Sequence, residues 1–548
     1  MVPERSLVGI SFINSPEAQQ SIARASAQAT AFIGRTLRGP LNHPVRVRSF
    51  ADFQQVFGGL WQPSPLSYAV EQFFEQGGRE AIIVRVANGA APTTLSLPCE
   101  DRVLKLEARA PGTREFLRAS VDYDHVPADD RERFNLVVQR VRSPGSERVE
   151  LQETFRSLSI DPESPRFVSI VLLESELVRV KGEVPRVRPN RTAARGATIG
   201  YVNSNPDGDD GRAITDYDVI GSKPRKTGLS ALDSISDIAF LYIPALSRTS
   251  EVGISTLVAA SQYCRERRAI LIVDPLAQWS TPREVTAGLK ELGFFSDHAT
   301  MFFPRIIAMD KLRGRAEVFG NGGAVAGLLS RTGDAASAAL SPWDIEPLLR
   351  AGAKLASDIA SADRWALAAH GVNVLQTVRS PDRNRPALRT LACGASTSAD
   401  GSYLSQQRFV LYVLNAIANG TRWCAASPRD RHVWQRVAKQ ARAFLEELRI
   451  NGAFSMVEQA QAYWVICDIR LNVPTDAALT LKLLVQFAAR RAGQYHSYLI
   501  EHSPMATNVK PVVVNRIEAE LVVSDELKQE ITIKLTDEEA SSAIGMSA

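Results

Sequence analysis

Residues 237–275 read DIAFLYIPALSRTSEVGISTLVAASQYCRERRAILIVDP. The stretch opens on DIAFLYIPA, an apolar run of strand length. It continues as EVGISTLVAASQYCRERR, an amphipathic helix, and ends in AILIVDP, a second buried-type strand. A second helix, REVTAGLKEL, and a third strand, ATMFFPRIIAM, follow. Strand–helix–strand–helix–strand with short links implies a parallel sheet with right-handed crossovers. Residues 201–358 are therefore expected to form an α/β domain.

On the N-terminal side, residues 25–95 read as a compact block. ATAFIG and VRVRSF are strands, and Ser64-Pro65 opens a helix with a capping serine and proline at its first position. Leu66, Ala69, Val70, Phe73 and Phe74 form the apolar face of that helix. Gly77-Gly78 stops it, and the strand AIIVRV follows. Residues 96–200 change texture: RVLKLEARA, FLRASVDYD, RFNLVVQRV, ERVELQETF and SELVRV alternate and are separated by turn residues, as in an inserted β-rich domain. Residues 1–24 look like an arm, because SLVGISFI can form a strand that has no hairpin partner nearby and must find a sheet edge elsewhere.

Residues 359–535 begin helical and end in strands, and residues 536–548 form a tail. Ser427-Pro428-Arg429-Asp430 resembles a capping box with Asp in place of Glu. The helix it opens carries Val433, Val437, Phe444 and Leu448 on one face and Arg436, Lys439 and Arg442 on another. KPVVVNRIEAELVV and QEITIKL read as two terminal strands rich in β-branched residues.

Composition sets the bounds. A chain of 548 residues exceeds a single hydrophobic core, and roughly three or four domains are expected. With 45% hydrophobic and 23% charged residues it reads as soluble and globular. A net charge of +4 does not point to a nucleic-acid partner, which would show a basic stripe. The five cysteines lack zinc or redox spacing and read as reduced, buried thiols. Residues 7–13 are too short and mixed for a secretion signal, and the longest apolar run, FVLYVLNAIA, is about half a membrane span. The expectation is a chain made and folded in a cytoplasm, with no direct membrane insertion.

Catalytic signatures are missing from the sequence. It holds no G-x-S-x-G elbow, H-E-x-x-H helix or C-x-x-C pair. The seven histidines have no metal-ligand spacing, and neither a metal nor another cofactor is expected. FGNGGAVAG could cradle a phosphate, but it lacks the lysine of a P-loop and its third dinucleotide-motif position is Val325. A tight turn with close backbone packing is the plainer reading. Asp274 lies where α/β enzymes place catalytic carboxylates, but no second carboxylate or lysine stands within a few residues to assist it, and an aspartate capping the next turn is the preferred reading.

The ordered motifs resemble those of the tail sheath proteins of contractile bacteriophage tails and related bacterial contractile injection systems. The resemblance runs over roughly residues 1–500. AFIGRTLRGPLNHPVRVRSFADFQQVFGG is similar to the family's opening motif, and LSYAVEQFFEQGGREAIIVRV to its following helix and strand. LEARAPGTREFLRASV, FNLVV and VELQETFRSLSIDPESPRFVSIVL look like its inserted β domain. MFFPRI, NGGAVAGLLSRTG, GVNVLQT and LRTLA recur in the family's order. The chain departs from the pattern at Arg305, at Pro386-Ala387-Leu388 and at CAASPRD, which leaves phage and bacterial injection-system origins both open.

The resemblance implies an α/β multidomain protein. Its α+β core would be built from N- and C-terminal parts, with a parallel α/β middle domain, an outward β-rich insertion and strand-donating terminal arms. It implies a structural, non-enzymatic subunit, polymerised as stacked hexameric rings around an inner tube. Other expected partners are baseplate and tail terminator proteins, in a virion tail assembled in the host cytoplasm or in a comparable injection particle. The donated strands would carry Leu7, Val8, Ile10 and Phe12 at one end, and Val513, Ile517, Leu521, Ile531 and Ile533 at the other. Arg436, Lys439 and Arg442 would face the inner tube. Two other classes stay open from the residues alone: an α/β enzyme with Asp274 catalytic, and a static structural polymer such as a capsid or surface layer.

Overall fold

The computed structural model describes residues 22, 29–194, 199–331, 345–350, 352–379, 385–394, 403–427, 430–454, 462–472, 480–488, 495–517, 520–524 and 531–534. These fall into two compact units, one within residues 27–407 and the other made of Ile22 and the described residues from Arg408 onward.

The larger unit opens with β1 (Ala29–Gly34), β2 (Val45–Val47), α1 (Phe50–Phe57), α2 (Pro65–Glu75) and β3 (Ala81–Arg85). Ser49 caps α1 by accepting from the Asp52 amide, and Gly58 ends it at φ +89°, a conformation that favours glycine. Ser64 caps α2 with Pro65 at its first position, as read from the sequence. Leu66, Ala69, Val70 and Phe73 of its apolar face are buried.

The β-rich segment follows: β4 (Pro92–Pro98), β5 (Val103–Pro111), β6 (Leu117–Asp122), β7 (Arg133–Val141), β8 (Val149–Ser159), the short α3 (Val168–Val171), β9 (Val178–Val180) and β10 (Val202–Asn203). It forms two antiparallel sheets, β4-β5-β9 and β10-β6-β7-β8. Their inward residues, among them Leu95, Leu106, Phe134, Leu136 and Leu158, share one core. Alternation along β5, polar Lys105 and apolar Leu106, is the half-buried pattern such strands require.

Then come α4 (Asp216–Ile220), β11 (Ile238–Tyr242), α5 (Ile254–Arg267), β12 (Ile270–Val273), α6 (Pro282–Leu292), β13 (Ala299–Phe303), β14 (Ile306–Asp310), β15 (Arg315–Phe319), α7 (Gly322–Arg331), β16 (Lys354–Leu355), α8 (Ser361–Ala369) and β17 (Val372–Val374). A reciprocal Thr281–Glu284 capping box starts α6. The expected α/β alternation is present, but the sheet is larger than its own segment. Its order is β17-β13-β12-β11-β1-β3-β2. Here β1, β2 and β3 from residues 25–95 and β17 (Val372–Val374) from the C-terminal part share one sheet with the strands of residues 201–358. The reason is burial. All six residues of β1 are buried, so it needs a parallel neighbour on each side and finds β3 and β11. The run ATMFFPRIIAM is likewise two strands. It divides at Pro304, which lacks an amide hydrogen, and β14 turns away into the antiparallel sheet β15-β14-β16.

The second unit contains most of α9 (Leu404–Gly420), then α10 (Arg431–Ile450), β18 (Tyr463–Ile466), β19 (Leu481–Ala488), β20 (Tyr495–His502), β21 (Thr507–Pro511), β22 (Val513–Ile517), β23 (Glu520–Ser524) and β24 (Ile531–Lys534). Asp430 itself caps α10, accepting from the Val433 amide at 2.8 Å. The expected start at Ser427 is therefore three residues early. The apolar face of α10 packs with α9 and β19 around Phe444, Leu445, Val413 and Phe487.

Candidate assembly surfaces and the Asp274 cluster

The carboxyl ends of the parallel strands are where an α/β fold most often carries chemistry. Asp274 follows β12 there, with both carboxylate oxygens engaged. Oδ2 accepts the Tyr242 hydroxyl at 2.5 Å and Oδ1 accepts the Gly322 amide at 2.8 Å. A carboxylate at a helix N-terminus neutralises unpaired amides and favours the positive end of the dipole. Asp274 thus ties the end of β12 to the start of α7. Burial pushes its carboxyl group up from the usual range, opposed by the nearby Arg305 guanidinium. Burial also pushes up Glu251, which receives Arg305 Nη2 at 2.8 Å.

The stretch FGNGGAVAG forms the turn before α7 and its first turns. Asn321 Nδ2 donates to the carbonyls of Phe302 and Pro304. A Cβ on Gly323 would strike the Ala69 backbone of α2. The glycines allow α2 and α7 to approach closely, which matches the packing reading of the stretch.

A cleft of about 350 Å³ lies beside Asp274, lined by Tyr242, Arg248, Glu251, Arg305 and Phe319 among others. Arg248 fills its wall. Its guanidinium bonds Asp310 at 2.9 Å and Glu317 at 3.2 Å and lies 4.5 Å from the ring centres of Tyr68 and Phe319. Tyr68 donates to the other Asp310 oxygen at 2.9 Å. Burial, then the hydrogen bond to Asp310, raises Tyr68 to about 12. Sequence reading missed this cluster, because Arg248, Asp310 and Tyr68 are far apart along the chain. The Asp310–Gly314 turn before RAEVF was the one local signal of the hairpin that carries it. Among the described residues no group of three His, Cys, Asp or Glu could hold a metal ion, and no helix is long and apolar enough to cross a membrane.

The basic stripe of α10 is exposed, opposite the buried Trp434, Val437, Ala441 and Phe444. Arg436 lies 4.6 Å from the Trp423 ring centre. Arg442 Nη2 donates to the Val465 carbonyl at 2.9 Å. Lys439 stands between them on the same exposed side.

The C-terminal strands pair with one another. β22, β23 and β24 form a separate antiparallel sheet, in register Leu521 opposite Ile533 and Val523 opposite Ile531. The stretch read as one strand through residues 512–523 holds two, β22 and β23, which pair antiparallel with each other. Val513 is exposed and Ile517 lies opposite Glu520. Leu7, Val8, Ile10 and Phe12 lie outside the described residues. From the arm, the structure describes Ile22, buried in the second unit's core against Gly420 of α9.

No family model matches the sequence, and no curated protein matches it. Solved structures do. The sheath tail protein Lin1278 from Listeria innocua superposes with a TM-score of 0.56 at 12% identity, over 89% of this chain and 97% of the other. This protein has a tail sheath fold. A sheath tail protein from Desulfitobacterium hafniense (TM-score 0.48, 12% identity, 90% of this chain and 100% of the other) is also similar. So is the contracted helical sheath of the anti-feeding prophage (TM-score 0.46, 12% identity, 89% and 97%). Within this fold, the polar cluster at Asp274 joins β11, β12 and α7 of the larger unit.

Proposed function

We propose that the chain is the structural subunit of a contractile tail sheath, which polymerises as stacked six-fold rings around an inner tube and contracts to drive the tube through a target envelope. The supporting observation is the match of nearly the whole chain to a sheath tail protein fold, together with the ordered motifs of the sequence. Baseplate and tail terminator proteins would close the two ends, in a phage tail or an injection particle assembled in a cytoplasm.

In this account neighbouring subunits are stitched by strands from both termini. A strand paired in trans gains about 1 kcal/mol net per backbone hydrogen bond and about 1.5–3 kcal/mol for each large apolar side chain it buries. Such stitches hold while rigid bodies re-dock in a tighter packing. The α10 stripe of Arg436, Lys439 and Arg442 meets the inner tube before contraction. Contraction draws on new interfaces between subunits, the extended state being kinetically trapped.

Negative-stain microscopy of the expressed chain tests the reading. Hollow, striated cylinders are expected. A monodisperse monomer at all concentrations, or a flat lattice, would contradict it.

A further inference from the structure

The β14–β15 hairpin presents an unusual outer face. Its register sets Ile307 opposite Val318 and Met309 opposite Ala316 on one side, while Ile306, Asp310 and Phe319 are buried on the other. Met309, Val318 and the turn residue Leu312 are each more than half exposed, at 57%, 52% and 55%. Large apolar side chains grouped in this way on a soluble surface mark a contact site. Around them stand the exposed cations Lys311, Arg313, Arg315 and Lys354. Glu71, Glu75 and Glu317 answer them, with Arg313 and Arg315 sharing the one Glu317 carboxylate, and the rim stays net positive.

The α3 turn carries the opposite arrangement. Ile170 and Leu173 are 55% and 60% exposed. Asp161, Glu163, Glu174, Glu176 and Glu153, which accepts the Glu176 amide, outnumber the cations there, namely Arg166, Arg156, whose carbonyl Arg166 bonds, and Arg109, whose Nη1 donates to the Ser175 carbonyl, so this rim is net negative. Both surfaces have an apolar centre, and their rims carry opposite charge.

We propose that the hairpin face of one subunit docks on the α3 turn of a second copy of this chain. Two different patches meeting make a heterologous contact, which propagates into rings or open helical polymers and does not stop at a dimer. The apolar centres supply contact area, and the rims set partner and orientation. The proposal rests on the sheath reading in that both need the chain to associate with itself. It adds a contact made by the rigid bodies, separate from the terminal strands.

The test uses the full chain and the concentration at which it assembles, read by sedimentation and light scattering. Arg313→Glu with Arg315→Glu, and separately Glu174→Arg with Glu176→Arg, should each raise that concentration about three- to ten-fold. The four changes together restore opposite charge and should return it to within about two-fold of the starting protein. Leu173→Asp, an exposed position that leaves the core untouched, should give a similar loss. Circular dichroism melting checks that each variant is folded. If the variants assemble as the starting protein does, the docking is wrong and the sheath reading stands. An effect of the hairpin changes alone, without the α3 changes, would assign the hairpin to another protein and overturn the proposal. If the unaltered chain never assembles, the sheath reading fails, and this contact with it.

Discussion

The Tyr242 hydroxyl donates to Asp274 Oδ2 at 2.5 Å, joining the ends of two adjacent parallel strands beneath the N-terminus of α7. With the Gly322 amide on its other oxygen, Asp274 forms a joint between β11, β12 and α7. Two consequences can be measured.

Asp274→Asn keeps an oxygen for the Gly322 amide and removes the cost of burying a charge, whereas Asp274→Ala leaves that amide without its partner. Because burial raises the folded-state value of Asp274 above the unfolded value of about 3.9, the folded state holds this proton more tightly. Stability from this group is complete below the unfolded value and is lost as pH rises through the folded one. Thermal melts from pH 4 to 8 should show Tm of the starting protein falling, relative to Asp274→Asn, as pH rises. Asp274→Ala should lose about 1–3 kcal/mol. A constant offset between the starting protein and Asp274→Asn at every pH would contradict this role.

Gly323→Ala should destabilise the fold by about 1–3 kcal/mol, because its methyl group enters the space of the Ala69 backbone. Chemical denaturation measures it. The same substitution at exposed Gly145, where φ is +75° and no neighbour lies within 4 Å, should cost about 1 kcal/mol from backbone strain alone. Equal losses would mean that α2 and α7 are not closely packed there.

Local patterns carried much of this fold. Ser64-Pro65 set the start of α2, and the apolar runs of β11, β12 and β13 with their intervening helices read directly as α/β. What sequence reading could not supply was pairing over distance. Nothing near ATAFIG says that β1 joins β11 some two hundred residues later. Interruptions are also hard to read, as at Pro304 and between β22 and β23, because strand-like composition runs on past the point where one strand ends. The position of Asp274 after β12 is legible in the sequence, but its role depends on Tyr242 and Gly322, which only the folded chain brings to it. The pairing of Arg248 with Asp310 is invisible in sequence, where only the turn of the hairpin that carries Asp310 can be read.

Arg248→Ala should be more damaging than its surface location suggests. It leaves Asp310, whose side chain is fully buried, with Tyr68 and backbone amides but without its cation, at a cost of about 3–5 kcal/mol. Adding Asp310→Asn should recover part of the loss, read as a double-mutant cycle in urea. Strict additivity of the two changes would contradict the pairing.

Arg436→Glu, Lys439→Glu and Arg442→Glu together should leave the second unit folded, since all three are exposed on α10, while abolishing assembly around the inner tube. Co-sedimentation of sheath with tube is the measurement. Normal co-assembly would remove α10 from the tube contact.

The central claim is that the chain termini link separate subunits, and removing residues 1–20 tests it most directly. The cut stops short of Ile22, which belongs to the core of the second unit, so folding should be retained on melting. Electron microscopy of the shortened and full chains at equal concentration should show cylinders from the full chain and dispersed subunits from the shortened one. Cylinders of ordinary length from the shortened chain would contradict the account.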